Sequence, residues 1–222
     1  MSAPTQDLIT ELDGVDRALA NAAPSEVISW ALARFDGNVS MACSFEDLVL
    51  VDMAITAKPD LEVIFLDTGS HFDETIQFAH EFCEQRGVRL TTTEPGPEAE
   101  AWPCGTERCC ELRKVVPLAG ALEGRDAWLT ALKRVDGPSR AGIPVVGWDE
   151  RFNLVKVNPL AAWTDDDIAY YLRERGLPEH PLWARGYGSI GCAPVTRPLA
   201  PGEARRAGRW ADSDKEECGL HG

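Results

Sequence analysis

From residue 39 to residue 92 the chain alternates short apolar runs with helix-length stretches, and that order constrains the fold more than any other feature. Val39–Ala42 is a short apolar run and reads as a first strand. Ser44-Phe45-Glu46-Asp47 then turns the chain into a helix carrying Leu48, Leu50, Val51 and Ala54, which Pro59-Asp60 breaks. Val63-Ile64-Phe65-Leu66 is continuously apolar and rich in β-branched residues, the mark of a strand covered on both faces. Residues 73–86 fit a helix with Gly87 as its stop, and residues 88–92 a third strand. Strand, helix, strand, helix, strand argues an open α/β fold built on a mainly parallel sheet.

The flanking segments extend this pattern. Ser25 reads as the N-cap of a helix carrying Val27, Ile28, Ala31 and Leu32. Residues 94–105 form a loop rich in Pro, Gly and Glu, residues 109–118 look helical, and residues 127–132 are a further strand candidate. Residues 144–146 and 154–157 resemble a hairpin around a Trp148-Asp149-Glu150 turn. Thr164 caps a helix running to Arg175, with Asp165, Asp166 and Asp167 at its positive end. From Leu177 onward the apolar periodicity is lost. The expected organisation is an N-terminal lead-in over 1–24, a nucleotide-binding α/β domain with a cysteine site over 25–196, and an arginine loop with a mobile, loop-rich catalytic tail over 197–222.

Composition narrows the function classes. A chain of 222 residues suffices for one such domain with a sizeable core. A net charge of −14 argues against a nucleic-acid partner. No apolar run approaches a membrane span, and the N-terminus MSAPTQDLITELDG lacks the basic and apolar regions of a secretory signal, so no membrane partner and a cytoplasmic location are expected. In that reducing compartment the seven cysteines read as metal ligands or reactive thiols where they cluster, and as small buried hydrophobes where they do not.

Four places carry candidate chemistry. Open sheets bind ligands outside the carboxyl ends of their strands, where the loops Ser44-Phe45-Glu46-Asp47 and Asp67-Thr68-Gly69-Ser70 fall. Such loops are often only caps and turns, but Asp67 could accept from a ribose or an adenine amine. Cys109-Cys110 is followed by Arg113 and Lys114, which favour thiolates, and Cys192 lies in Ser189-Ile-Gly-Cys192-Ala-Pro194; soft thiolates suit iron–sulfur clusters or zinc. Arg197, Arg205, Arg206 and Arg209 crowd a Pro- and Gly-rich stretch against Glu203 alone, a local anion site by composition, although charge runs are usually just solvated. The tail places Cys218 between Glu217 and Gly219 with His221 three residues on, which suits a reactive thiol better than a core one. The acidic neighbours Glu216 and Glu217 oppose thiolate formation until a cationic site meets them.

In order along the chain, Ser44-Phe45-Glu46-Asp47, Asp67-Thr68-Gly69, Cys109-Cys110-Glu-Leu-Arg113-Lys114, Arg134-Val-Asp136-Gly-Pro138-Ser-Arg140, Gly191-Cys192-Ala-Pro194, Arg206-Ala-Gly208-Arg209-Trp210 and Glu217-Cys218-Gly219-Leu220-His221 resemble the assimilatory adenylyl-sulfate reductases. The resemblance runs from about Ser25 to the C-terminus. It implies an adenine-nucleotide α-hydrolase-like fold and adenosine 5′-phosphosulfate as substrate, in sulfate assimilation towards cysteine. It implies that Ser44, Phe45, Asp67, Thr68 and Gly69 surround the nucleotide. Lys114, Arg134, Arg206 and Arg209 would hold phosphate and sulfate oxygens, and Cys218, assisted by His221, would attack the sulfur. The S-sulfocysteine so formed would yield sulfite to thioredoxin or a glutaredoxin-type reductant. Cys109, Cys110 and Cys192 would be ligands of a 4Fe–4S cluster.

One departure stands out. The cluster-bearing members have Cys-x-x-Cys where this chain has Cys192-Ala-Pro-Val195, and valine cannot ligate iron. Either the cluster is absent or labile, or another residue completes it, with Cys104 the nearest candidate in sequence, or the chain is a variant deprived of a ligand. Three rivals follow: a 3′-phosphoadenylyl-sulfate reductase, which shares the tail but not the cluster cysteines; an ATP pyrophosphatase or adenylating enzyme, which needs a glycine-rich loop that Ser44–Asp47 lacks; and a metal-binding, non-catalytic protein in which Cys218 is idle.

Overall fold

The computed structural model describes residues 4–213, 215 and 217–221. Its strands are β1 (Val39–Ala42), β2 (Glu62–Leu66), β3 (Arg89–Thr93), β4 (Ala127–Leu129), β5 (Val146–Asp149) and β6 (Leu154–Val157), and they form one sheet in the order β3-β2-β1-β4-β6-β5. β4 runs parallel to β1 and to β6, while β5 is antiparallel to β6. The helices are α1 (Gln6–Leu19), α2 (Pro24–Arg34), α3 (Val49–Ala57), α4 (Asp73–Arg86), α5 (Glu107–Cys110), α6 (Val116–Ala121) and α7 (Asp165–Arg175). The expected α/β class is therefore present.

Local signals set several boundaries as anticipated. Gly87 stops α4 in the left-handed region at φ 64°, its N–H returning to the last-turn carbonyls of Cys83 and Glu84. Thr164 caps α7: its Oγ1 accepts from the Asp167 N–H at 3.2 Å, and the Asp167 carboxylate accepts from the Thr164 N–H at 2.8 Å.

Others differ. Residues 1–24, expected as a lead-in, carry α1, capped by Thr5, whose Oγ1 accepts from the Leu8 N–H at 3.2 Å. α2 begins before Ser25: Pro24 needs no N–H partner in a first turn, and Glu26 accepts from the Ala23 N–H at 2.8 Å in place of a serine cap. Trp148 and Asp149 belong to β5 and the hairpin turn follows them, because the Asp149 carboxylate collects the N–H groups of Arg151 and Phe152. β4 ends at Leu129, after which the Thr130 hydroxyl bonds the Asn158 side chain. The helix expected over 109–118 is interrupted by a π-turn over Glu111–Val115.

The chain divides into two compact units, each assembled from separated segments. The first comprises Met1–Cys43, Val49–Val63 and Leu122–Leu177. It buries Val27, Ile28 and Ala31 of α2, Met41 of β1, Trp128 and Leu129 of β4 and Val157 of β6. Asp52 of α3, fully buried, accepts from Tyr171 Oη and Arg175 Nε of α7, each at 2.9 Å. The second comprises Ser44–Leu48, Ile64–Ala121 and Pro178–Gly222. It buries Phe45, Leu48, Ile64, Phe65, Phe78, Phe82, Leu112, Leu118 and Ile190. Among the described residues no helix is long and apolar enough to cross a membrane.

Candidate active site in the second unit

The cysteine pair is delivered by a capped turn. Thr106 precedes α5 and its Oγ1 accepts from the Cys109 N–H at 3.2 Å, fixing Cys109 and Cys110 in a short helix where both are buried. The π-turn that follows carries Arg113 and the nearly buried Lys114. Arg113 ties this helix to the loop after β2, donating from Nη1 to the Thr68 carbonyl and from Nη2 to the Ala99 carbonyl.

The third cysteine comes from the C-terminal segment, which is folded although it lacks regular elements. The Ala193 N–H donates to the Ser70 carbonyl at 2.7 Å, and Thr196 Oγ1 donates to the Cys192 carbonyl at 2.8 Å. Residues 195–197 pair with residues 208–210: the Arg197 N–H donates to Gly208 O and the Trp210 N–H to Val195 O, each at 2.9 Å, around an antiparallel bridge of Thr196 with Arg209. Arg209 lies across Gly191, where a Cβ would overlap its guanidinium; Nη1 donates to the Ile190 carbonyl at 3.1 Å, and the group stacks on Trp210 at 4.5 Å from the ring centroid. Glu46, from the loop after β1, anchors the same segment by accepting from Ser189 Oγ at 3.1 Å, the Ile190 N–H at 3.2 Å and Arg205 at 2.5 Å.

These pieces line a small recess walled by Cys104, Cys109, Cys110, Cys192, Lys114 and Arg209, with Gly105, Arg113, Val195 and Trp210 completing it. Within it the Cys104 and Cys192 thiols share a hydrogen bond. That bond, reinforced by Lys114, Thr68 and His71, pulls Cys192 well below the usual thiol range against the cost of its burial, while the same bond and burial push Cys104 up. Thus Cys192 is the thiolate of the pair. Burial raises Cys110, although Lys215 donates to its Sγ at 3.1 Å. Burial works against charge on Lys114, yet the neighbouring sulfurs of Cys218, Cys192 and Cys110 outweigh it and hold the ammonium above its usual range.

The sequence candidates are distributed unevenly. Cys109, Cys110, Cys192, Lys114 and Arg209 meet at the recess, and Cys218, half-buried, is close enough to act on Lys114. Lys215 fastens the tail by donating to Gly105 O at 2.9 Å and to Cys110, and Arg206 pairs with Glu217 at 3.4 Å. His221 is half-buried, and Glu216 lies outside the described residues. Thr68 is buried, and its hydroxyl lies 3.6 Å from Cys192 Sγ. Asp67 accepts from the Gly69 N–H at 2.9 Å, closing a tight turn that places Gly69 at φ 63°. Ser44 is exposed, but Phe45 is fully buried against Phe65, with ring centroids 5.6 Å apart, and holds φ 55°. Phe45 is thus a core residue, and α3 starts only at Val49, so Ser44 does not open a helix N-terminus as expected. Arg134 belongs to the first unit, where its Nε donates to the Ile143 carbonyl at 3.0 Å. The anticipated arginine cluster is largely neutralised: Arg197 forks onto Glu203, and Arg205 onto Glu46. Lys215 and Trp210 had no assigned site role in the sequence, and Glu46 and Arg113 figured there only as a loop carboxylate and a cation near the cysteines.

A family model described as the phosphoadenosine phosphosulfate reductase domain matches residues 38–198. The chain belongs to that family. Among its relatives within the family's reach, the adenosine 5′-phosphosulfate reductase of Mycolicibacterium smegmatis is 42% identical, over 91% of this chain and 90% of that protein. The adenosine 5′-phosphosulfate reductase of Streptomyces coelicolor is 41% identical, over 98% of this chain and 96% of its own length. The crystal structure of a phosphoadenylyl-sulfate reductase from Candida auris superposes with a TM-score of 0.74 at 26% identity, covering 88% of this chain and 99% of that one. Membership in the phosphoadenosine phosphosulfate reductase family agrees with the mainly parallel sheet and assigns this chain to the oxidoreductases acting on sulfur.

Proposed function

We propose that this chain reduces adenosine 5′-phosphosulfate to sulfite and AMP in the cytoplasm, as a step of sulfate assimilation, using Cys218 as nucleophile. The carrying observation is the convergence of Cys109, Cys110, Cys192, Lys114 and Arg209 on one recess, to which the tail is fastened by Lys215 donating to Cys110 Sγ at 3.1 Å. Lysine and arginine beside thiols favour the thiolate form and would neutralise the anionic head of a sulfonucleotide bound there. The relatives from Mycolicibacterium and Streptomyces support the choice of the unphosphorylated nucleotide.

The chemistry balances as two thiol steps. The Cys218 thiolate attacks the sulfate sulfur; the S–O bond to the phosphate breaks, its electron pair leaves with AMP, and Cys218 carries a sulfonate. Lys114 and Arg209 lie on the recess from which they can offset charge on the departing phosphate. A thiolate of a dithiol reductant such as thioredoxin or a glutaredoxin-type protein then attacks Cys218 Sγ. Sulfite departs with the S–S electron pair, and the reductant's second thiol resolves the mixed disulfide. The sum is sulfonucleotide plus dithiol giving AMP, sulfite, disulfide and two protons.

A 4Fe–4S cluster belongs to this reading. Among the described residues no three His, Cys, Asp or Glu side chains converge to hold a single metal ion. A cluster makes a different demand, one thiolate for each of four irons spaced around a cube. Four thiols around one recess, with Lys114 and Arg113 among them, fit that demand in donor type and number. Cys109, Cys110 and Cys192 would hold it; when bound it would supply a polarisable iron–sulfur group beside Lys114 and Arg113.

Sulfite release from the nucleotide with thioredoxin tests the function. Wild type should release sulfite and, without reductant, accumulate one SO3 increment on the tryptic peptide of Cys218. Cys218→Ser should lose at least ~10³-fold in kcat. An active Cys218→Ser variant would rule out the assigned nucleophile, and a higher kcat/KM for the 3′-phosphorylated nucleotide would transfer the assignment to the activity of the Candida auris neighbour.

A further inference from the structure

We infer that Cys104 is the fourth iron ligand of this chain, taking over the duty that Val195 cannot perform. The inference rests on the cluster part of the function proposed above. Two observations carry it. Cys104 lines the recess together with Cys109, Cys110 and Cys192, so four of the chain's seven cysteines face one volume. The turn that presents it also lies directly on Val195: a Cβ built on Gly105 would stand 2.9 Å from Val195 Cγ1. The surplus thiol is thus next to the side chain that stands where the family's fourth cysteine does.

The loop chemistry is suited to the task. Gly105 adopts φ 95°, which only glycine holds without strain, and lets the chain double back between Cys104 and the Thr106 cap of α5. Cys104 is therefore tethered five residues ahead of Cys109 by a short, tight connection, and its thiol already reaches Cys192 from the opposite segment. Val195 is pinned through its carbonyl to the Trp210 N–H and fills the wall as an apolar residue. Ligation would release the Cys104 thiol proton and replace the Cys104–Cys192 hydrogen bond with two sulfur–iron bonds, with no change of oxidation state.

The test uses full-length protein purified without oxygen, with iron and acid-labile sulfide measured per folded chain. Wild type should carry about four irons. Cys104→Ser should fall to about half or less and lose the sulfur-to-iron absorbance. Adding Val195→Cys to Cys104→Ser should restore wild-type iron, while Cys83→Ser, a change in the α4 core, should leave it untouched. Alkylation followed by peptide mapping gives a readout that needs no variant: Cys104 should be protected in the isolated protein and become reactive once iron is chelated. Wild-type iron in Cys104→Ser would overturn the inference. So would equal labelling of Cys104 before and after chelation, a wild type that gains iron only with Val195→Cys, or a Cys104–Cys192 disulfide in iron-free protein. An active wild type whose iron ignores Cys104 defeats this inference alone. An inactive wild type whose iron depends on Cys104 defeats the proposed activity alone.

Discussion

Lys114 illustrates how much a single position depends on its neighbours. Burial to 9% exposure works against its charge, yet the sulfurs of Cys218, Cys192 and Cys110 nearby hold the ammonium above its usual range. Lys114→Gln preserves much of its bulk and removes that charge. The expected result is a fall of about 10²-fold or more in kcat/KM for the nucleotide, measured as sulfite release, with a folded far-UV spectrum. Lys215 makes a smaller prediction of a different kind. It bonds Gly105 O and Cys110 Sγ and so holds the tail against the recess. Lys215→Met should expose Cys218 and raise its rate of alkylation by iodoacetamide several-fold; an unchanged rate would show that Lys215 does not hold the tail. At this scale the sequence was informative about chemistry and silent about partners. Cys109, Cys110 and Cys192, singled out by residue type and spacing, do line one recess. The commitment of Thr68 to Cys192, of Arg205 to Glu46 and of Arg113 to the Thr68 carbonyl joins residues more than forty positions apart, and no local pattern encodes such pairs.

Elements were legible where a local rule ends them. Gly87 and Thr164 mark helix ends through backbone freedom and side-chain capping, and both lie where the pattern placed them. The loop after β1 was misread because Ser44-Phe45-Glu46-Asp47 looks like a helix entry, whereas Phe45 takes a left-handed conformation to bury its ring on Phe65; the tertiary contact overrides the local preference. Element packing also carries two stability predictions. Tyr171→Phe removes one of the two α7 donors to the buried Asp52 and should cost about 1–3 kcal/mol in urea unfolding. His180 is buried between Thr75, which bonds its Nε2 at 3.0 Å, and the Leu182 N–H, which donates to Nδ1 at 3.2 Å. Burial pulls its pKa from 6.5 down to about 4, with Glu46 and Glu74 acting in the opposite sense. The unfolded chain therefore binds the proton first as pH falls, so this contribution is complete above pH 6.5 and is lost between there and about 4. His180→Gln should destabilise the protein at neutral pH, and its deficit relative to wild type should shrink on acidification across that window.

For the molecule as a whole, the interleaving of segments matters. The recess draws on residues 104–114 and 192–210, and its supports on residues 44–48 and 67–71, so the second unit is complete only when chain regions far apart in sequence have come together. A ligand bound to that unit should stabilise the native state by mass action. At a hundredfold excess over its Kd, AMP should add about 2.7 kcal/mol, which for a chain of this length raises Tm by roughly 5–10 °C. Arg209→Ala should reduce the shift, and a Tm indifferent to AMP would count against a nucleotide site in the native protein.

The π-turn Glu111–Val115 sets α5 and α6 out of phase. Such a turn holds one residue more than the α-turn it replaces, which offsets the faces of the two helices by about 100°. One end of the segment aims Cys109 and Cys110 at the recess, and the other buries Leu118 in the core. The extra residue works like a slipped gear tooth: it uncouples the aim of the thiols from the packing of the helix that carries them, so that either can change without dragging the other along.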